Sequence, residues 1–161
     1  MALPRVITAS LIAAGVASVA LASPAAATDE ITENAVGTYE VHYNSATASA
    51  IWVATPCEDD VDQCIQVSEY GAKDTARKHP RWTSKAFWTV GSWIMEPVPD
   101  QQRECNEGMK FFVTYDYSWD AAKNAGWRSY FDPAVCPGSS KPKINSSAFT
   151  LVNVGPPPAS T

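Results

Sequence analysis

Four carboxylates, Glu58, Asp59, Asp60 and Asp62, lie between Cys57 and Cys64 in the stretch PCEDDVDQC. Hard oxygen ligands at that density are what a calcium ion takes, and thiolates are what zinc takes. The stretch lacks the glycine and the distal bidentate glutamate of a helix-loop-helix calcium loop. The cysteines are not in CxxC pairs, and the two histidines lie elsewhere, so no zinc set is expected. The residues read as a solvated acidic turn closed by a disulfide, with a calcium cage as the rival reading.

Other chemistry is sparse. His42 shares a strand face with Glu40 and Asn44, which would let a carboxylate orient its imidazole, but a polar strand face explains all three. Asp116 and Asp120 lie four residues apart on one strand, about 13 Å at strand rise, too far for a glycosidase pair acting alone. No nucleophile elbow is present. We therefore expect no catalytic residue and no cofactor. The basic cluster is Lys73, Arg77, Lys78, Arg81 and Lys85, with His79 and Trp82 inside it. Cations around an exposed indole would suit an anionic envelope glycolipid or a protein partner. The rival reading is a solvated connection.

These residues need a scaffold, and its pattern is that of strands. MKFFVTYDYSWD alternates Met109, Phe111, Val113, Tyr115, Tyr117 and Trp119 against Lys110, Thr114, Asp116, Ser118 and Asp120, with Phe112 the exception. The aromatic stripe Tyr115, Tyr117, Trp119 is expected in the core. VGTYEVHY also alternates, whereas ASAIWVAT is apolar on both faces and belongs centrally. CIQVSEY returns from it, and AFWTV with WIMEP gives a second pair of strands or one bent strand around Gly91. AGWRSYF and SSAFTLVNV complete the set. About eight short strands with turn signals between them predict an all-β antiparallel barrel or sandwich.

The four cysteines allow three pairings. The hairpin around the acidic turn joins Cys57 to Cys64 and leaves Cys105 for Cys136. The chain-entropy model assigns the short loop about 2.5 kcal/mol and the long one about 3.7 kcal/mol.

The first residues, MALPRVITASLIAAGVASVALASPAAA, have the single cation, apolar run and small-residue end of a secretory signal. Cleavage after Ala27 is expected, with an uncleaved anchor as the alternative. Residues 28–35 then form a linker, 36–154 one β domain and 155–161 a disordered Pro-rich tail. The 161-residue chain carries 12 basic and 17 acidic side chains, a net charge of −5. Removing Arg5 with the signal leaves 11 against 17, or −6, which argues against nucleic-acid binding.

The order Gly37-Thr38-Tyr39, IWVATPC, Cys64 with IQV, FWTVGSW, Cys105, YDYSWD with Gly126 downstream, Cys136 and FTLVNVG resembles a group of exported proteins of mycobacteria and related actinobacteria. Some relatives of that group form extracellular parts of membrane Ser/Thr kinases. The resemblance implies a disulfide-stapled extracellular β domain with the same two pairings, and it carries over no catalytic residue. Together these features predict a secreted or cell-envelope binding module. Its partner would be a lipid or glycan in an aromatic-lined cleft, or a protein at the Trp82 loop. The alternatives are a hydrolase using carboxylates and a purely structural envelope protein.

Overall fold

A computed structural model describes residues 24–44, 47–58, 61–106, 108–139 and 141–158. Most of the expected signal, the tip residues Asp59 and Asp60, and the last three residues of the expected tail lie outside the described residues. Among these residues one helix, α1 (Pro24–Ala35), precedes nine strands: β1 (Gly37–His42), β2 (Ala50–Pro56), β3 (Cys64–Gly71), β4 (Trp82–Thr89), β5 (Ser92–Met95), β6 (Val98–Glu104), β7 (Lys110–Asp120), β8 (Ala125–Asp132) and β9 (Lys143–Gly155).

All pairings are antiparallel, and the sheet closes into an eight-stranded barrel rather than a sandwich. β1 is zipped to β2 on one side and to β9 on the other. The second closure is shared. β5 pairs with the last residues of β7, Ser92 opposite Asp120 and Ile94 opposite Ser118, whereas β6 takes the rest of the same edge. β5 and β6 therefore act as one strand interrupted at Glu96-Pro97, where proline supplies no amide to a ladder.

Alternation dictates what the barrel holds. Along β7, Val113, Tyr115, Tyr117 and Trp119 are buried, and Phe112, Thr114, Asp116 and Ser118 are exposed. The interior is an aromatic cluster centred on Trp52, whose ring meets Trp82, Tyr117, Trp119 and Phe149 edge-on at 5.4–5.7 Å. Aromatic rings prefer such edge contacts because their quadrupoles oppose face-to-face stacking. Most of the buried apolar residues face the axis, and polar ones such as Glu40, Ser68 and Asp116 face out. Trp119 packs so closely on Gly126 that a methyl group there would lie 2.1 Å from the Ser118 carbonyl oxygen and 2.5 Å from the Trp119 Cβ. No residue but glycine fits.

Residues 28–35, expected as a linker, belong to α1. Ile31 and Ala35 pack against the core, and the Tyr39 hydroxyl donates to the Ala35 carbonyl at 3.0 Å. The cleavage point expected after Ala27 falls within this helix, and Ile31 and Ala35 lie downstream of it. Among the described residues no helix is long and apolar enough to cross a membrane.

Both disulfides form as the spacing predicts, Cys57–Cys64 and Cys105–Cys136. The first closes the β2–β3 hairpin and the second ties the β6–β7 connection to the β8–β9 connection. Such bonds persist in an oxidising compartment.

Candidate functional site

Two places in the barrel combine polar chemistry with aromatic surface, one inside and one outside. Inside, Trp52 of β2, Glu69 of β3 and Trp82 of β4 are cross-strand neighbours in one row. The Trp52 indole N–H donates to Glu69 Oε2 at 3.0 Å, and the Arg81 guanidinium lies 3.6 Å from Oε1. Burial pushes the Glu69 carboxyl pKa up, while Trp52, Arg81 and Arg128 pull it back.

Arg128 enters from β8 and lies against the rings of Tyr43 at 4.1 Å and Tyr115 at 4.6 Å. The Tyr43 hydroxyl is buried beside Tyr117 and Arg128 but makes no hydrogen bond of good geometry, and the Trp82 indole N–H is likewise buried and unpaired. Burial pushes Tyr43 up to about 12 and Tyr117 further in the same direction. Both phenols stay neutral at physiological pH. At this end the cluster fills the barrel with charge-paired side chains.

The other end, beneath α1, has a cavity of about 80 Å³ lined by Ile31, Asn34, Tyr39, Trp93, Trp119 and Leu151 among others. That volume holds two or three waters at about 30 Å³ each. Tyr39, Trp52, Trp93 and Trp119 give it aromatic walls, but it is smaller than the usual small-molecule site.

The basic loop does not form the surface expected of it. β4 begins at Trp82, and this residue points inward, 8% exposed, against Trp52 and Tyr117. The loop thus offers no exposed indole for its cations to surround. Arg81 is drawn back to Glu69, and Arg77 has its Nε buried while Asp74 accepts its backbone N–H at 3.0 Å. Lys73 and Lys78 are exposed in the loop. Lys85 lies along β4 opposite Gln66, separate from them.

The remaining candidates are also dispersed. Glu58 and Asp62 are exposed on the stapled hairpin, and among the described residues no group of three or more His, Cys, Asp or Glu could hold a metal ion. His42 meets Glu40 at 3.2 Å on the outer face of β1, opposite Thr150. Asp120 serves the β7–β8 turn, accepting the backbone N–H groups of Lys123 and Ala122, which hold its carboxyl below its usual range. Tyr115, Tyr117 and Trp119 are core residues, as the alternation implied.

Outside, the β7–β8–β9 face presents what the sequence reading passed over. Phe112 (64% exposed), Trp127 (59%), Phe131 (59%) and Ile144 (72%) all project from it. Phe131 stands opposite Ile144, and Trp127 opposite Ser118 and Ala148. Between these apolar rows runs a polar one, Asp116, Ser129 and Ser146, side by side on the three strands. Beside it Asp100, Phe112, Thr114, Asp116, Phe131 and Pro133 line an open groove of about 360 Å³. Asp100 reaches this groove from a bulge in β6, with φ of 57°, where the ladder skips between Val98 and Gln101. Bulges re-aim side chains in this way. The available signal was Phe112 breaking the alternation of its strand, and Trp127 and Phe131 keeping phase with each other four residues apart.

The fold and these two clusters define a closed, disulfide-stapled, up-and-down β-barrel with a filled core and an aromatic outer face. The chain matches no family model, no curated protein and no solved structure.

Proposed function

We propose that the protein is an exported binding module of the cell envelope or extracellular space that engages its partner with its outer surface. One observation carries this: four large apolar side chains, each more than half exposed, share the β7–β8–β9 face. Monomeric proteins rarely leave such a patch open without a use for it. The filled interior and the 80 Å³ cavity speak against a carrier role. The two disulfides, the signal-like first residues and the resemblance to exported actinobacterial proteins favour the extracellular setting.

The test is co-sedimentation of the purified, disulfide-bonded protein with isolated cell envelopes of its host. The wild-type protein pellets with them, and a Phe131→Ala, Ile144→Ala variant of unchanged melting temperature stays in solution. Equal pelleting of the two, or no pelleting at all, defeats the proposal.

A further inference from the structure

The polar row between the apolar ones restricts what the outer face can accept. A purely apolar contact such as a lipid tail would strip water from Asp116, Ser129 and Ser146 and give nothing back, and an unpaired buried polar group is costly. A sugar solves both halves of the problem, because a pyranose ring has apolar C–H faces that lie on aromatic rings and hydroxyls at its rim that pair with carboxylates and serines.

The arrangement of the face follows that chemistry. Along β8 the order is Trp127, Ser129, Phe131, ring, hydroxyl, ring, with the two rings about 13 Å apart at strand rise. That separation spans a few sugar units of an extended chain. Asp116 and Ser146 flank Ser129 on either side, so acceptors and donors lie across the path as well as along it. At the Phe131 end the groove of about 360 Å³ has phenyl rings of Phe112 and Phe131 and acceptors on Asp100, Thr114 and Asp116. Its volume lies in the range of small-molecule sites.

Charge decides the kind of glycan. The groove holds two carboxylates and no cation among the residues lining it, in a chain of net charge −5. A polymer carrying phosphate, sulfate or uronate would be repelled there, and one bearing only hydroxyls would not.

From these features we infer that the β7–β8–β9 face is a platform for a neutral polysaccharide, stacked on Trp127 and Phe131 and hydrogen-bonded by Asp116 and Asp100. This rests on the surface-binding function proposed above and names its ligand class. No covalent step is invoked.

The experiment is isothermal titration of the purified, disulfide-bonded protein with a soluble glucan, mannan, galactan and xylan, alongside an anionic polyuronate as a control. The expected result is binding to at least one neutral polymer and none to the polyuronate. Trp127→Ala and Phe131→Ala each weaken it at least tenfold, Asp116→Asn weakens it less, and Lys73→Ala with Lys78→Ala has no effect. The indole emission of Trp127 shifts to shorter wavelength on binding, a signal that Trp127→Ala removes. Failure of all four neutral polymers overturns the inference, as does binding that survives Trp127→Ala and Phe131→Ala. Should the polymers fail while envelope pelleting persists, depends on this face and is destroyed by protease treatment of the envelopes, the partner is a protein. The surface-binding function then stands and the glycan assignment falls.

Discussion

Glu69 lies directly opposite Trp52 and accepts its indole N–H at 3.0 Å, deep in a barrel otherwise filled with rings. On its other side Trp82 is an equally close cross-strand neighbour whose N–H reaches no acceptor. Two tryptophans in one row thus have unequal roles. One satisfies a buried acid, and the other contributes only its surface.

Replacement by phenylalanine separates those roles. Trp52→Phe leaves a buried carboxylate short of a donor, whereas Trp82→Phe removes a donor that has no partner. Hydrogen bonds to charged groups are worth about 1.5–3 kcal/mol, so Trp52→Phe should destabilise by about that much more than Trp82→Phe. Urea unfolding of both variants measures the difference. Equal losses would show that Trp52 stabilises by packing alone.

Glu69 also sets a pH dependence. Its carboxyl pKa is raised above the ordinary 4.5, chiefly by burial, so the folded chain holds this proton more tightly than the unfolded chain does. The stability that comes from holding it is complete below about pH 4.5 and is lost as pH rises through the folded value. Glu69→Gln cannot lose that proton. Its stability relative to the wild-type protein should therefore improve as pH rises above about 4.5, as read from denaturant midpoints at a series of pH values. A difference that is flat with pH would mean the raised carboxyl is absent.

The β4–β5 turn carries a residue poorly matched to its backbone. Thr89 pairs with Ser92 across Val90 and Gly91, whose φ angles are 41° and 87°. Two positive φ angles are the mark of a type I′ hairpin turn, which favours Asn-Gly. Val90 is β-branched, 96% exposed and held in the left-handed region, which costs an L-residue about 1–2 kcal/mol. Val90→Asn should raise stability by about 1 kcal/mol in guanidinium unfolding without altering any contact. No gain would mean that the turn relaxes in solution.

Much of the fold was legible because a barrel strand writes its two faces directly into the chain. The period of β7 separated core from surface along eleven residues, and the spacing of four cysteines gave both staples. Glu69 was legible in principle, as the charged residue continuing the inward stripe Ile65, Val67 of β3. The helix was hidden because its last eight residues, TDEITENA, are too polar and too few to show an apolar stripe beyond Ile31 and Ala35. Trp82 was misplaced for a similar reason. It opens β4 with Thr83, Ser84 and Lys85 behind it, so the strand has no visible alternation until Ala86. The outer face could not be read as a unit, since its members come from three strands and meet only through the register of β7, β8 and β9.

The seam between β1 and β9 brings together residues from opposite ends of the domain, Tyr39 with Asn153 and Val41 with Leu151. Among the described residues every other pairing joins strands adjacent or nearly adjacent in the chain, and this one spans almost the whole domain. As the chain is synthesised, its early hairpins have no closed barrel to join until the last strand has emerged. Until then the first strand exposes an edge that only the last one covers, and a chain cut short before Phe149 leaves that edge open for good.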